Sequence, residues 1–332
     1  MGHPTMEDVA QRAGVSRALV SLVMNGSPKV SAARRRSVLD AAAELGYRRN
    51  DVARRLASRR TGTVGVLLND LHNPFFAEIY DGVDAAATEH GRRPLLATAS
   101  RRVAGERRAI EFMLEQRVEG MILVSPRMPS RELVTAGRIV PVVVVGRMVR
   151  GGVVGVVSND ERLGPLLAVR HLFDLGHRSI THVDGGSGAG ARARRSGYVR
   201  AMRELGLRPD VIAGDFTEVA GADAARALLR RKALPTAVFA ANDLVAAGAM
   251  DAFEDAGLLA PDDISIVGYD NTFLARLHHV GLTSVDQSAE EMGRMAMALL
   301  LGRAAGDRAT PSVRLVTPRL VDRRTTGPVR AR

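Results

Sequence analysis

The stretch Thr5-Met-Glu-Asp-Val-Ala-Gln-Arg-Ala-Gly-Val-Ser16, continued by Arg17-Ala-Leu-Val-Ser-Leu-Val-Met-Asn25, decides how this chain begins. It reads as two short helices around a turn. Thr5 and Ser16 stand where each helix starts, and a hydroxyl there accepts a bond from an otherwise orphan backbone N–H. Gly14 supplies the turn. Val9, Val15, Val20 and Val23 fall at spacings that turn them inward. Arg17, Ala18, Ser21, Leu22 and Asn25 then share one outer face. This layout is a helix-turn-helix, whose second helix enters a DNA major groove by its N-terminal end.

Working outward, Ser31 is the expected cap of a third helix. Val38, Ala42 and Leu45 form its apolar stripe and Gly46 stops it. Lys29 and the Arg34-Arg35-Arg36 run lie where phosphates would be met. Asn50-Asp-Val-Ala-Arg-Arg-Leu-Ala-Ser58 reads as one more short helix, followed by Arg59-Arg-Thr-Gly62. Nine residues make a marginal helix in isolation, so this segment is a candidate switch.

Charge supports the same reading. Of the net +11 carried by 332 residues, residues 1–62 hold +7, from 12 Lys/Arg against 5 Asp/Glu. Lys29 and Lys232 are the only lysines, so a general preference for Arg is present, but preference does not explain concentration at one end. A basic pole of this kind is the footprint of a phosphate-backbone binder. With no cysteine there is no disulfide framework and no thiolate metal site, which fits a reducing cytoplasm. No apolar run approaches a membrane span and no signal-peptide stretch precedes Thr5. The absence of Trp and the scarcity of Tyr and Phe argue against stacking platforms for single-stranded nucleic acid.

From Thr63 the pattern changes to apolar strands alternating with amphipathic helices. Strands are expected at 63–68, 95–98, 120–124, 142–145, 179–183, 237–240 and 265–267. Helices are expected at 74–90, 106–116, 165–175, 192–205, 222–231, 244–256 and 289–301. This is the pattern of parallel sheets covered on both faces, and there are too many strands for one comfortable sheet. The fold class is therefore α/β: an all-α headpiece plus a core of two doubly wound lobes. The expected division is 1–49 headpiece, 50–62 hinge and linker, and 63–332 core. Its lobes are 63–158 plus 287–315, and 159–286 plus 316–327. In such sheets ligands bind beyond the carboxyl ends of the strands. The loops there, at 69–76, Arg147, 184–190, 241–243 and 269–271, are rich in Asn, Asp and Arg with a Phe pair. They suit a small polar molecule with a ring face.

Enzyme chemistry finds little support. Gly185-Gly-Ser-Gly-Ala-Gly190 follows a strand, but its spacing is not G-x-G-x-x-G. His278-His279 lacks acidic neighbours at ligand spacing, and His177 and His182 read as structural. There is no G-x-S-x-G elbow and no Walker loop. No cofactor and no metal are expected.

At this point the residues resemble a known family. Met6-Glu-Asp-Val-Ala, Ala13-Gly-Val-Ser16, Val20-Ser21, Asn25, Val30-Ser31, Leu45-Gly-Tyr47, Asn50 and Ala53 to Leu56 resemble the headpiece and hinge of the lactose/galactose repressor family of bacterial regulators. Asn73-Pro-Phe-Phe76, Gly120-Met-Ile-Leu-Val124, His171 to Arg178, Ala193 to Tyr198, Ala241-Asn-Asp243, Ile266 to Asp270 and Leu282-Thr283 match its core. The resemblance spans about residues 5–325. It implies a DNA-binding headpiece, a hinge helix and a two-lobed core similar to sugar-binding periplasmic proteins.

Residue by residue, the resemblance puts Arg17 and Ala18 at base-reading positions, where Arg favours a guanine edge. Leu22 departs from the Arg of many relatives; it cannot donate a hydrogen bond and so would meet a thymine methyl or nothing. Thr5, Ser16, Ser21, Asn25, Ser31 and Asn50 match phosphate-facing positions, which set register; Lys29 and Arg35 join them. Leu56 matches a minor-groove wedge that would unstack a central pyrimidine–purine step, with Ala53 letting paired hinges approach. Arg194, Asn242 and Asp270 match effector-holding positions and Phe75 a ring-packing one. Arg147, Asp160 and Asp184 are added from loop placement. The reading is a homodimeric cytoplasmic repressor of a palindromic operator, controlled by a small effector, a sugar or polyol. The alternatives are a co-repressed regulator or activator answering to a nucleoside or small acid, and a non-regulatory sugar-binding protein. Val316–Arg332 holds no leucine heptad, so a dimer rather than a tetramer is expected.

Overall fold

The computed structural model describes residues 4–24, 26–47, 61–307 and 313–329. Two compact units divide near Thr61. Asn25, Asn50, Ala53, Leu56 and most of the expected hinge lie outside the described residues.

The first unit holds α1 (Met6–Ala13), α2 (Arg17–Met24) and α3 (Ala32–Glu44). Thr5 starts α1 with a reciprocal cap: its hydroxyl accepts from the Asp8 N–H, and its own N–H donates to Asp8 at 2.7 Å. Gly14 ends α1 at φ 64°, in the left-handed region that a side chain would strain. Val9, Val20, Val23 and Val38 close the small core, with Val15 half-buried at its margin. Ser31 takes the N-cap backbone conformation of α3 but makes no side-chain cap bond, which corrects the expectation that its hydroxyl would cap.

The second unit opens with β1 (Thr63–Leu68), α4 (Pro74–Glu89), β2 (Arg93–Thr98), α5 (Val103–Glu115), β3 (Met121–Val124), α6 (Ser130–Ile139), β4 (Val142–Val145) and β5 (Gly155–Asn159). It continues with α7 (Leu163–Asp174), β6 (Ile180–Val183), α8 (Ala191–Glu204), β7 (Asp210–Ile212), α9 (Glu218–Leu229), β8 (Ala237–Ala240) and α10 (Asp243–Asp255). It ends with β9 (Ser265–Asp270), α11 (Phe273–Arg276), β10 (Thr283–Asp286), α12 (Ala289–Ala304), β11 (Val313–Val316) and β12 (Arg319–Val321).

These strands form two six-stranded sheets, ordered β11-β5-β4-β3-β1-β2 and β12-β10-β9-β8-β6-β7. The two lobes expected from the alternating pattern are present. One strand departs from the all-parallel expectation, since β12 runs antiparallel to β10. The Val run of β4 is fully buried, as a central parallel strand covered by helices must be. The chain crosses between lobes after β5, after β10 and after β11.

In each lobe one helix pair is set by facing glycines. A Cβ on Gly82 of α4 would lie 1.9 Å from the Glu290 carbonyl oxygen of α12, and one on Gly293 would lie 2.0 Å from that of Ile79. Gly221 of α9 and Gly248 of α10 face the carbonyls of Val245 and Glu218 at 2.1 and 1.9 Å. Residues that follow the strands of both sheets line one cleft.

Candidate functional site

On the headpiece, Arg17, Ala18, Ser21 and Leu22 share one face of α2. Ser16, Arg17 and Ala18 are exposed, Leu22 is 44% exposed, and Ser21 is half-buried. Ser16 turns its hydroxyl to the Leu19 N–H at 3.3 Å. Lys29 and Ser31 are exposed between α2 and α3. Arg35 is half-buried and ties one guanidinium nitrogen to the Ser27 carbonyl at 2.5 Å. Thr5 is exposed, with its hydroxyl held by Asp8 at 2.8 Å. The result is a helix N-terminus, partly positive by its dipole, flanked by hydroxyls and an Arg.

In the core, a cavity of about 50 Å³ lies in the cleft between the sheets' carboxyl ends. Asn69, Asp70, Arg101, Ser125, Arg127 and Gly146 come from loops after β1 to β4. Gly188 and Phe216 come from loops of the other lobe and Asp270 from the end of β9, with Glu161 and Gln287 at crossovers and Arg194 on α8. Asn73 caps α4, its oxygen accepting from the Phe75 N–H at 3.0 Å. That cap sets Phe75 and Phe76 edge-to-face in the wall, 6.0 Å apart. Arg101, Ser125 and Asp270 carry φ of 61°, 49° and 108°. Backbone strain of this kind concentrates at ligand sites.

Of the seven expected effector residues, the structure brings three to the cavity: Phe75, Arg194 and Asp270. The other four, Asn242, Arg147, Asp160 and Asp184, are not among the lining residues and are bonded to the loops and caps around the cavity. Asn242 caps α10, accepting from Val245 at 2.9 Å, and its amide reaches the Phe216 carbonyl at 3.4 Å. Arg147 donates to the Pro126 and Met128 carbonyls and to Ser130, pinning the loop after β3. Asp160 accepts from the Arg162 and Leu163 N–H groups at the start of α7. Asp184 accepts from Gly186 and Gly214, each at 3.0 Å, and meets Arg195 at 3.2 Å. The Phe216 ring accounts for two glycines of the turn: a Cβ on Gly185 or Gly188 would strike it at 2.3 or 2.5 Å.

Sequence reasoning missed Phe216, Glu161, Arg101, Arg127 and Gln287 as cavity residues. Phe216 follows a three-residue strand that carries no pattern of its own. Glu161 stood beside the residue chosen for its loop.

Electrostatics centre on Arg194, which is 4% exposed. Its Nε and Nη2 donate to Glu161 at 3.2 and 2.9 Å, its Nη1 donates to the Ala241 carbonyl, and it stacks 3.6 Å over the Tyr269 ring. Burial alone would lower its pKa, but negative neighbours, Glu161 foremost, hold it above the ordinary value. Burial raises Asp270 well above the usual carboxylate range, against Arg194 and with Asp243 adding to the shift. Gln287 donates to its Oδ1. A carboxyl that keeps its proton donates as well as accepts, so Asp270 and Arg194 together suit hydroxyl groups beside a ring packed on Phe75.

The headpiece and core each match a described family. Bacterial regulatory proteins of the lacI family match residues 5–50, and a periplasmic binding protein-like domain matches residues 169–326. Catabolite control protein A of Priestia megaterium is 35% identical over 302 residues, covering 89% of this chain and 91% of that one. The HTH-type transcriptional repressor PurR of Erwinia tasmaniensis is 34% identical over 339 residues, covering 98% of each. Among solved structures, the lac repressor dimer bound to operator and the anti-inducer ONPF aligns with a TM-score of 0.87 and 29% identity, covering 98% of this chain and 100% of that one. A complex of the transcriptional regulator CelR with cellobiose aligns with a TM-score of 0.73 and 35% identity, covering 97% and 99%. With a helix-turn-helix headpiece joined to a two-lobed ligand-binding core along its whole length, this chain belongs to the lacI family of bacterial transcriptional regulators.

Proposed function

We propose that the chain is a cytoplasmic repressor that binds a palindromic operator as a homodimer and answers to a small polar effector, a sugar or polyol, in the core cleft. The observation that carries this reading is the cleft lining: aromatic faces from Phe75 and Phe216 beside Arg194 and Asp270. The relative solved with cellobiose and the relative solved as an operator-bound dimer make the same pairing of partners reasonable here.

The mechanism is linkage. Effector binding favours one arrangement of the lobes, and that arrangement biases whether two hinge segments pair on DNA. An effector shifts this balance only by its differential affinity for the two states. Arg17 reads a base edge, Ser16 and Lys29 set register on phosphates, and Leu56, outside the described residues, is assigned the minor-groove wedge.

The test is selection of random duplex DNA by the purified protein at near-physiological salt, followed by sequencing. The expected product is a two-fold symmetric site with a central pyrimidine–purine step. Absence of any enriched site, with and without metabolite extract, overturns the reading. Leu56→Ala is expected to weaken specific binding far more than nonspecific binding; equal losses would remove the wedge role. Arg17→Ala is expected to relax one operator position by roughly 1–3 kcal/mol.

A further inference from the structure

The charges lining the cleft are unevenly matched. Arg194 has its charge matched by Glu161, with a further bond to the Ala241 carbonyl. Arg101 pairs with Asp215 and lies 4.0 Å from Asp70. Arg127 alone among these guanidiniums meets no carboxylate among the described residues; its side-chain partner is the Ser187 hydroxyl. Glu106 is close, but its two oxygens accept the backbone N–H groups of Arg127 and Met128 at 2.7 and 2.8 Å. With Arg147 holding Pro126 and Met128 from the other side, the loop is pinned and the guanidinium is presented to the cavity.

A second group waits beside it. Asn69 is 4% exposed and lines the same cavity. Its amide nitrogen donates to the Ser125 carbonyl at 3.0 Å, while its buried Oδ1 has no partner among the described residues. Asn69 follows β1 and Arg127 follows β3, and these strands are neighbours, joined at their ends by that Asn69–Ser125 bond. One small molecule can therefore reach both. A planar guanidinium freed of carboxylate pairs best with a two-oxygen anion, and a buried lone acceptor needs a donor.

We infer that the effector carries an oxyanion, a carboxylate or a phosphate, held by Arg127, together with a hydroxyl or amine that donates to Asn69. The inference rests on the cleft being the effector site, and it narrows the ligand from any sugar or polyol to a hydroxylated acid or phosphate ester. Arg127 thereby becomes a specificity-determining residue.

The test is calorimetric titration of the full-length protein, and of Arg127→Gln and Arg127→Lys, at constant ionic strength. The probes are inorganic phosphate, glucose, gluconate and glucose 6-phosphate. The basic headpiece is unchanged among the three proteins, so its phosphate binding is common to all. Arg127→Gln is expected to weaken the cleft's phosphate binding by about tenfold or more, with Arg127→Lys recovering part. A preference for gluconate or for glucose 6-phosphate over glucose tells a carboxylate effector from a phosphorylated one. Phosphate isotherms that coincide for the unaltered protein and Arg127→Gln, including two that are both flat, overturn the inference. Operator selection run alongside separates the failures: loss of selection by the unaltered protein refutes the regulator, whereas intact selection with coincident isotherms refutes only the anion site.

Discussion

His182 and Arg194 show how single side chains set conditions on the whole core. His182 is fully buried on β6 between the rings of Tyr198 and Phe239, 5.0 and 4.8 Å away. Its Nδ1 meets the Phe239 carbonyl at 2.8 Å and its Nε2 has no partner among the described residues. Burial pushes its pKa down to about 4. The unfolded chain therefore binds this proton more tightly, and stability present above pH 6.5 is lost as pH falls toward 4, by about 3 kcal/mol at most. Asp270 works with the opposite sign: its raised pKa makes the folded form hold a proton more tightly, so acidification from neutral stabilises through it. His182→Phe should flatten the loss of stability between pH 6.5 and 4 in urea titrations; an unchanged slope would show that this histidine does not set the acid limb. Arg194 is held to a different standard. Removing it strands Glu161, whose side chain is only 14% exposed. Arg194→Ala should cost about 3–5 kcal/mol in chemical denaturation, and adding Glu161→Gln should restore part of that cost. Strictly additive losses would mean the pair is not coupled.

Among the elements, those the sequence announced share length and a single chemistry. The long helices α4, α10 and α12 and the Val run of β4 are repetitive enough to read from periodicity alone. The strands that escaped are short or polar. β7 has three half-buried residues, and β10 is Thr-Ser-Val-Asp, buried with its polar groups satisfied: the Thr283 N–H donates to the Thr325 hydroxyl and the Ser284 hydroxyl donates to Asp243 of α10. The same limit governs the cleft. Phe75, Arg194 and Asp270 sat in motifs whose use could be inferred, but whether Asn242 or Asp184 faced a ligand or a backbone N–H depends on rotamers that no pattern encodes. Loop position finds the neighbourhood of a site and leaves its division of labour open. The glycines behind the helix pairs were equally silent in sequence, and they carry a clear prediction. Gly248→Ala places a Cβ 1.9 Å from the Glu218 carbonyl, a backbone atom that cannot swing aside. The α9–α10 pair must then part, at about 1–3 kcal/mol, and Gly82→Ala should do the same between α4 and α12. Unchanged thermal midpoints for both would show that the pairs can slide apart freely.

Taken whole, the core is two rigid lobes joined by three crossovers and held together by few polar bridges. Asn159 at the first crossover donates to the Tyr269 hydroxyl at 2.7 Å. On one flank Glu78 of α4 bonds Arg276 at 2.7 Å and the Phe273 N–H at 2.9 Å. On the other, Arg101 meets Asp215 and Arg127 meets Ser187. These bridges span the cleft around its cavity of about 50 Å³, so loosening them is expected to widen the space a ligand enters. Asp215 is 45% exposed on its side chain, so its pair with Arg101 is worth no more than about 0.2–1 kcal/mol and weakens with salt. That is still enough to change an open-to-closed ratio severalfold. The chain contains no cysteine, so two introduced ones label it uniquely, and the exposed Glu111 of α5 and Arg203 of α8 place one label on each lobe. Distances between spin labels at Glu111→Cys and Arg203→Cys should lengthen when Asp215→Asn is added, and should lengthen with salt only while Asp215 is present. Distributions that match with and without Asp215→Asn across the salt range would mean that the crossovers and the Glu78–Arg276 bridge alone set the spacing of the lobes.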